Sequence, residues 1–327
     1  MKGVQRAMVV GSLLAGVQCA DADAPVAVPV SADPPISLSG RIAFATEVTP
    51  GVGGFVYVAN ADGTGLRRLP GGQAYYSQPR WSPDGHRIAV GRWNPNSSAS
   101  SVVVIDVDGQ DGVVTLANGT RPAWSPDGSK IAFSASGTGP NVGIHVMNAD
   151  GSNVRRLTSP NDPAQCTEGS SASDWNADWS PDGRKIVFER QVHTSDAGGY
   201  DCGLDGWGYT PHVWLMNADG GDMRMLAASS TDPSWSPDGR FIAYAVISDG
   251  LYVVDGEGAS PPRRISLENI NLRYPLSPVW SPDGKKLLFL AVIPPTNALA
   301  IVDLESGVIK VLNFPVAGLL LGPAWSR

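Results

Sequence analysis

Short apolar runs alternate with short polar turns along the chain from Gly40 onward. Most runs have four to six residues, as in RIAF (41–44) and IHVM (144–147), and Gly, Pro, Asn and Asp dominate the gaps between them. Runs of this length, bounded by turn residues, are typical of β-strands. Both faces of the runs are apolar, which indicates strands covered on both sides by neighbouring sheets. The pattern predicts an all-β fold of many short antiparallel strands.

The runs belong to a repeat that is marked by the pentapeptide WSPDG. It begins at Trp81, Trp124, Trp179, Trp235 and Trp280, and a shortened copy, PAWSR, ends the chain. Successive tryptophans lie 43, 55, 56, 45 and 45 residues apart, close to the length of a four-stranded propeller blade. Each repeat holds four runs, namely the Trp run, an [RK]IAF-like run, a run that leads into NADG or a similar turn, and a short final run.

The two ends of the repeat region are incomplete in complementary ways. The chain enters at GRIAF, a second strand without a Trp strand before it, and stops at a Trp strand without a second strand after it. We therefore predict a six-bladed β-propeller of four-stranded antiparallel blades. Its last blade joins residues near 323–326 to residues near 40–69, which removes exposed sheet edges.

Residues that recur in every blade are expected to serve the architecture. In Ser-Pro-Asp-Gly, the proline presets φ, the aspartate suits the third turn position, and the glycine closes the turn. We predict that the repeated Ser and Asp are turn residues and that the Trp is a packed plate. The chain contains no Gly-x-Ser-x-Gly, His-Glu-x-x-His or Gly-rich phosphate-loop motif, so no catalytic residue is predicted.

The N-terminal region differs from the repeats. Residues 1–22 have the layout of a secretory signal peptide, residues 23–38 form a Pro/Ala-rich linker, and the propeller is predicted over residues 39–327. Cleavage is favoured over lipid anchoring at Cys19, because Gln18 is a poor residue directly before a lipidated cysteine. No apolar stretch is long enough for a transmembrane helix. We expect a periplasmic or extracellular protein.

The net charge of −7 is spread without any basic cluster longer than two residues. Nucleic acids and anionic membranes are bound through basic stripes that neutralise phosphates. The composition therefore argues against both as partners. We expect a monomer.

The repeat resembles that of the TolB-type β-propellers, whose pattern is PxWSPDGkxIAF followed by IYVMNADGxxxRRLT. The resemblance covers about residues 39–327. It implies a periplasmic or cell-surface propeller that binds partners, a peptidoglycan-associated lipoprotein among them. TolB-type proteins carry an α/β domain before the propeller. Only a linker fits between the signal peptide and Gly40 here, so we expect this chain to lack that domain.

Two repeat intervals are about ten residues longer than the others, and both excess segments belong to the blade of Trp179. They span residues 159–177 and 190–212, emerge on the same face of the predicted ring, and are called the cap here. Each holds one cysteine, and an exported protein would oxidise Cys166 and Cys202 to a disulfide. The cap is acidic and aromatic, which suits contacts with a partner or a sugar. Its candidate binding residues are Asp174, Trp175, His193, Asp196, Tyr200, Asp201, Asp205, Trp207, Tyr209 and His212.

Three alternatives stay open at this point. One is that the cap is a surface elaboration whose rings only pack the disulfide. A Ca²⁺ site at Asp196, Asp201 and Asp205 is the one cofactor considered, although the spacing matches no EF-hand loop. The residue before the repeated proline varies among blades and is expected near the mouth of the central channel. This column consists of Gln78, Arg121, Asn176, Asp232 and Ser277, with Gly322 in the last copy.

Two functions are compatible with these features. The first is an exported, non-catalytic scaffold that binds a protein or an envelope component through the cap. The second is a carbohydrate-active lyase or hydrolase that works at the channel mouth with His193 or His212 and nearby carboxylates. The absence of a catalytic motif favours the first.

Overall fold

The computed structural model of the protein describes residues 38–48, 53–94, 99–109, 112–136, 142–159, 170–194, 210–247, 249–267, 274–293 and 296–326. Its strands are β1 (Arg41–Glu47), β2 (Val56–Asn60), β3 (Arg67–Arg68), β4 (Tyr75–Trp81), β5 (Arg87–Asn94), β6 (Ala99–Asp106), β7 (Val113–Asn118), β8 (Thr120–Trp124), β9 (Lys130–Ser136), β10 (Val142–Asn148), β11 (Arg155–Arg156), β12 (Ser170–Trp179), β13 (Lys185–Thr194), β14 (Thr210–Asn217), β15 (Arg224–Ala227), β16 (Ser230–Trp235), β17 (Phe241–Val246), β18 (Gly250–Asp255), β19 (Arg263–Arg264), β20 (Tyr274–Trp280), β21 (Lys286–Ile293), β22 (Thr296–Asp303), β23 (Ile309–Leu312) and β24 (Leu319–Trp325).

These strands form six antiparallel sheets of four strands each. Blade 1 contains β24, β1, β2 and β3, and blades 2 to 6 contain the remaining strands in consecutive sets of four, from β4–β7 to β20–β23. Contacts between successive blades, including blade 6 with blade 1, complete the ring. The predicted six-bladed fold is confirmed. The part of the chain that the structure describes contains no helix, and so none that could cross a membrane.

The predicted closure is confirmed by the pairing of the last strand with the first. In blade 1, β24 runs antiparallel to β1, with Ile42 opposite Trp325 and Ala43 opposite Ala324. The backbone N–H of Ser326 donates to the Arg41 carbonyl at 2.8 Å. The indole N–H of Trp325 donates to the Ser39 carbonyl, also at 2.8 Å. The two ends of the propeller are thereby locked into one sheet.

The hydrophobic core lies between blades. In one cluster, Val58 of blade 1 packs with Trp81, Ile88 and Val103 of blade 2. Each of the six repeated tryptophans is no more than 8% exposed. Because each sheet is covered on both faces by its neighbours, successive residues of a strand are buried, as the apolar runs predicted.

The Ser-Pro-Asp-Gly segments use their polar groups within the turn itself. In blade 3, Ser125 Oγ donates to Asp127 Oδ1 at 2.6 Å and accepts from the Lys130 backbone N–H at 2.9 Å. Asp127 also accepts from the backbone N–H and the hydroxyl of Ser129. These hydrogen bonds, chiefly that from Ser125, lower the pKa of Asp127 to about 2. The repeated Ser and Asp are turn residues, as predicted.

The two faces of the ring differ in their connections. The first and third strands of each blade run toward the turn face, which carries the Ser-Pro-Asp-Gly and Asn-Ala-Asp-Gly turns. The connections between second and third strands, and those between blades, lie on the opposite loop face. The described ends of the cap, residues 170–177, 190–194 and 210–212, belong to strands β12, β13 and β14 of blade 4. The predicted signal peptide and nearly all of the linker, residues 1–37, lie outside the described residues.

Candidate functional site

The variable column of the innermost strands is the first candidate site. Its six members have positive φ angles: +46° at Gln78, +53° at Arg121, +53° at Asn176, +52° at Asp232, +52° at Ser277 and +46° at Gly322. The pairing of each innermost strand with its second strand shifts register around this position. Each blade therefore has a β-bulge there, and such a bulge redirects side chains and bends the strand.

This backbone conformation is unfavourable for three of the six residues that adopt it, namely Gln78, Arg121 and Ser277. The left-handed region is comfortable for glycine and tolerated by asparagine and aspartate, but it costs about 1–2 kcal/mol for other L-residues. The column lies inside the innermost strands, three residues before the Trp that ends each one. The bulge thus lies within these strands, and the expected position of the column near the channel mouth stays a prediction.

Three members of the column are joined by hydrogen bonds across blades 4, 5 and 6. Asn176 Nδ2 donates to Asp232 Oδ1 at 2.7 Å. Asp232 Oδ2 accepts from the backbone N–H of Ser277 at 3.1 Å and from its hydroxyl at 2.9 Å. Side chains that are far apart in the sequence thus form one polar chain along the channel wall.

A second carboxylate, Glu189 of β13, joins this chain. It is 2% exposed, and its Oε2 accepts from Asn176 Nδ2 at 2.9 Å and from the Thr231 hydroxyl. One amide group therefore donates to two carboxylates. Burial, and then the negative charge of Glu189, raise the pKa of Asp232, while Arg121 and Arg80 oppose this shift.

The other members of the column also meet across blade boundaries. The guanidinium of Arg121 in blade 3 lies 4.6 Å from the ring centroid of Trp175 in blade 4. A Cβ atom on Gly322 of blade 1 would lie 2.8 Å from the Cα of Gln78 in blade 2. Only glycine permits this approach. All five predicted channel residues therefore lie in interblade contacts.

Asp174 is placed differently from the expectation of an exposed cap residue. Its carboxylate is fully buried and receives two hydrogen bonds from Arg190, at 2.7 Å from Nε and 2.9 Å from Nη2. Arg190 is 1% exposed, and its guanidinium lies 5.0 Å from the ring centroid of Trp214. The pair joins β12 to β13 inside blade 4. Asp174 therefore stabilises the base of the cap, where β12 and β13 pair inside blade 4.

The turn-face end of the channel is lined by charged and aromatic side chains. A cavity of about 70 Å³ is lined there by Arg80, Asp178 and tryptophans of five blades. Burial lowers the pKa of Arg80, an effect that Asp178 and Asp232 counter. Pockets that hold small molecules usually measure about 300–1,000 Å³. This end of the channel is too small for such a ligand.

The two cap histidines are described to different extents. His212 lies in β14, is half-buried, and its Nδ1 accepts from the Ser229 backbone N–H at 3.3 Å. Burial lowers its pKa. His193 lies in β13, where its backbone pairs with Ser171.

The remaining predicted cap residues lie outside the described residues, namely Cys166, Asp196, Tyr200, Asp201, Cys202, Asp205, Trp207 and Tyr209. The disulfide and the calcium site thus stay predictions. Within the described ranges, no group of three His, Cys, Asp or Glu side chains is arranged to hold a metal ion.

Sequence reasoning missed Glu189, Arg190, Arg80 and Asp178. A signal for the first two was present, because the run KIVF of blade 4 is followed by two charged residues, whereas the corresponding runs of blades 1, 3, 5 and 6 are followed by small or apolar ones. Arg80 and Asp178 stand between the column and the Trp, where the other blades have Ala, Ser or Val. Charged residues in these columns mark the channel wall.

Comparisons with known proteins agree with this architecture. A sequence profile of the TolB beta propeller domain matches residues 37–249. The TolB structure from Acinetobacter baumannii superposes with a TM-score of 0.67 and 20% identity, over 88% of this chain and 66% of that one. A chain of a nidogen/laminin complex gives a TM-score of 0.65 and 13% identity, over 88% and 99% of the two chains. At these identities, the structures show a shared fold.

A curated relative matches a smaller part of the chain. The uncharacterized peptidase YuxL of Bacillus subtilis is 29% identical over 118 residues, which are 34% of this chain and 16% of that protein. The chain therefore spans about one sixth of that relative. The match of the family profile extends over more than half of the chain and agrees with six blades of the expected topology. The protein belongs to the TolB β-propeller family.

Proposed function

We propose that this protein is an exported, non-catalytic scaffold that binds another protein of the cell envelope through the loop face of blade 4. The observation that carries the proposal is the height of that blade. The innermost strand β12 begins nine residues before its Trp, whereas β8 of blade 3 begins four residues before and β16 of blade 5 begins five before. At about 3.3 Å per residue, β12 rises about 13–17 Å beyond both neighbours.

The second strand of blade 4 rises in the same way. β13 has ten residues, compared with seven in β9 and six in β17. The pairing between β12 and β13 continues to Ser170 and Thr194. The buried ion pair of Asp174 and Arg190 stiffens the root of this extension. We call the part of β12 and β13 beyond this ion pair the raised edge.

A stiff, raised edge suits recognition of a protein because little ordering entropy is lost on binding. The signal-like N-terminus supports export, and membership of the TolB family supports an envelope setting. A peptidoglycan-associated lipoprotein is the candidate partner that the family resemblance names. Among the described residues, nothing favours the carbohydrate-active alternative, since His212 accepts from the Ser229 backbone N–H and the turn-face cavity is small.

Site-specific photo-crosslinking tests the proposal. A benzophenone amino acid is introduced at Val192, on the raised edge, and in a matched variant at Ser129, an exposed turn residue on the turn face of blade 3. Both proteins are expressed in cells with an intact envelope and irradiated. We expect a discrete crosslinked envelope protein only from the Val192 variant. Identical products from both positions, or none from Val192 in a correctly exported protein, would contradict the proposal.

A further inference from the structure

The second strand of each blade begins at a position that holds a cation in five blades. These residues are Arg41, Arg87, Lys130, Lys185 and Lys286. The Arg41 guanidinium lies 4.6 Å from the ring centroid of Trp81 in the next blade, and that of Arg87 lies 4.8 Å from Trp124. In blade 6, Lys286 pairs with its cross-strand neighbour Asp303 at 3.5 Å. In blades 1, 2, 4 and 6, the cation at this position lies against an aromatic ring, a carboxylate or both.

Blade 5 breaks this rule with Phe241. Its ring stacks on Trp280 of blade 6, with centroids 6.4 Å apart and planes 19° apart, and 37% of the residue is exposed. Its cross-strand neighbour is Asp255, the counterpart of Asp303. Asp255 accepts backbone N–H groups of its own turn, but no cation of the described residues lies within 4.0 Å of it. Here the carboxylate is present without the cation.

An open groove accompanies the substitution. A cavity of about 470 Å³ lies between blades 5 and 6 on the turn face. We call it the blade 5–6 groove. Its apolar floor includes Phe241 and Trp280, and its charged side chains are Asp255, Arg263, Lys285 and Glu305. Asp255 is half-buried, whereas the other three charged residues are exposed.

The charged side chains that line the groove have no ionic partners among the described residues. Among the described residues, Arg263, Lys285 and Glu305 form no ion pair within 4.0 Å. Arg240 lies 5.6 Å from the Phe241 centroid, but its Nε is bound to Asp238 at 2.6 Å and it does not line the groove. The groove therefore combines an aromatic ring, Phe241, with the half-buried carboxylate of Asp255.

We propose that the blade 5–6 groove binds the guanidinium of an arginine side chain from a protein partner. A guanidinium is planar, stacks on aromatic rings and pairs with carboxylates. The protein itself places guanidinium groups against tryptophan at the same position of blades 1 and 2. A bound guanidinium would supply to Asp255 the charge that Lys286 supplies to Asp303 in blade 6. The groove lies on the face opposite the raised edge, so this proposal is independent of the proposed function.

The test is an NMR titration of the labelled protein at low ionic strength. The probe is the peptide acetyl-Gly-Arg-Gly-amide, and the matched control replaces arginine by citrulline, which has the same shape without the charge. We expect saturable shifts at the Trp280 indole and an affinity at least tenfold lower for the citrulline peptide. Equal affinities, no binding of the arginine peptide, or shifts confined to another surface would overturn the proposal.

Two variants extend the test. Phe241→Arg restores the residue type of the other blades, so the variant should fold with unchanged or higher thermal stability. Its affinity for the arginine peptide should fall at least tenfold. Glu305→Gln removes an exposed charge and should weaken binding severalfold without affecting the fold. Full binding by a folded Phe241→Arg protein would overturn the proposal. If that variant did not fold, unchanged binding by Glu305→Gln would overturn it.

Discussion

Asp174 and Arg190 form a two-pronged ion pair that is sealed inside blade 4, with side chains 0% and 2% exposed. Asp174→Asn removes the buried charge that pairs with the Arg190 guanidinium, and breaking a buried ion pair is strongly destabilising. We expect Asp174→Asn to lower the free energy of unfolding by about 3–5 kcal/mol. Urea denaturation measures this change.

The matched control is the exposed pair of Arg240 and Asp238, whose atoms are just as close, at 2.6 Å. We expect Arg240→Gln to cost about 0–1 kcal/mol, because water and salt screen an exposed pair. Equal losses of unfolding free energy in the two variants would show that the buried pair of Asp174 and Arg190 does not stabilise blade 4 as proposed.

The carboxylates of Glu189 and Asp232 predict an unusual dependence of stability on pH. Burial and Glu189 raise the pKa of Asp232 in the folded protein. The stability that this group contributes is fully present below its unfolded pKa, about 3.9, and is lost as the pH rises through the folded pKa. Glu189→Gln removes the repulsion, so it should reduce that loss.

The measurement is the free energy of unfolding between pH 4 and pH 7 for both proteins. The turn aspartates, such as Asp84 and Asp127, have lowered pKa values and contribute in the opposite direction. They are the same in both proteins and cancel in the difference. A difference that does not vary with pH would refute the coupling of the two carboxylates.

The pKa of the Asp127 carboxyl group gives a separate prediction. Its pKa of about 2 comes first from the Ser125 hydroxyl and next from Ser129. We expect Ser129→Ala to raise that pKa toward its ordinary value, because one hydrogen bond to the charged form is lost. Carbon NMR of the carboxyl group follows the titration. An unchanged midpoint would mean that the Ser129 hydroxyl does not bind Asp127 in solution.

Gly322 is predicted to be irreplaceable for the contact between blades 1 and 2. An alanine there would combine a φ of +46° with a Cβ 2.8 Å from Gln78 Cα. Gly72→Ala is the control, since its φ is +71° and no atom lies within 4 Å of the added Cβ. We expect the control to cost about 1–2 kcal/mol from backbone strain and Gly322→Ala to cost more. Thermal unfolding of the two variants measures these costs. Equal losses of stability would exclude a steric role for the contact between Gly322 and Gln78.

Much of the fold could be predicted because the repeated residues encode local and nearest-neighbour interactions. The spacing of Trp81, Trp124 and their counterparts measures one blade, the Asp-Gly turns mark strand ends, and the incomplete first and last repeats require closure. Each of these features acts within one blade or between adjacent ones. A periodic sequence therefore specifies a periodic structure.

The candidate site was predictable only in part. The variable column was recognised, since Gln78, Arg121, Asn176, Asp232 and Ser277 break an otherwise constant pattern. Their left-handed backbone was not predicted, because the residue before a proline usually adopts an extended conformation. Glu189 was missed since it lies on a different strand from the column and approaches Asp232 only when blades 4 and 5 pack together.

The sequence by itself determined the architecture, the closure and the turn role of Ser-Pro-Asp-Gly, because these depend on propensity and period. Only the tertiary structure decided that Asp174 is buried against Arg190, that Asn176 bridges two carboxylates, and that Phe241 opens a groove beside Asp255. These are relations between side chains of different strands or blades. Their energies arise from burial and charge proximity, which exist only after the ring has closed.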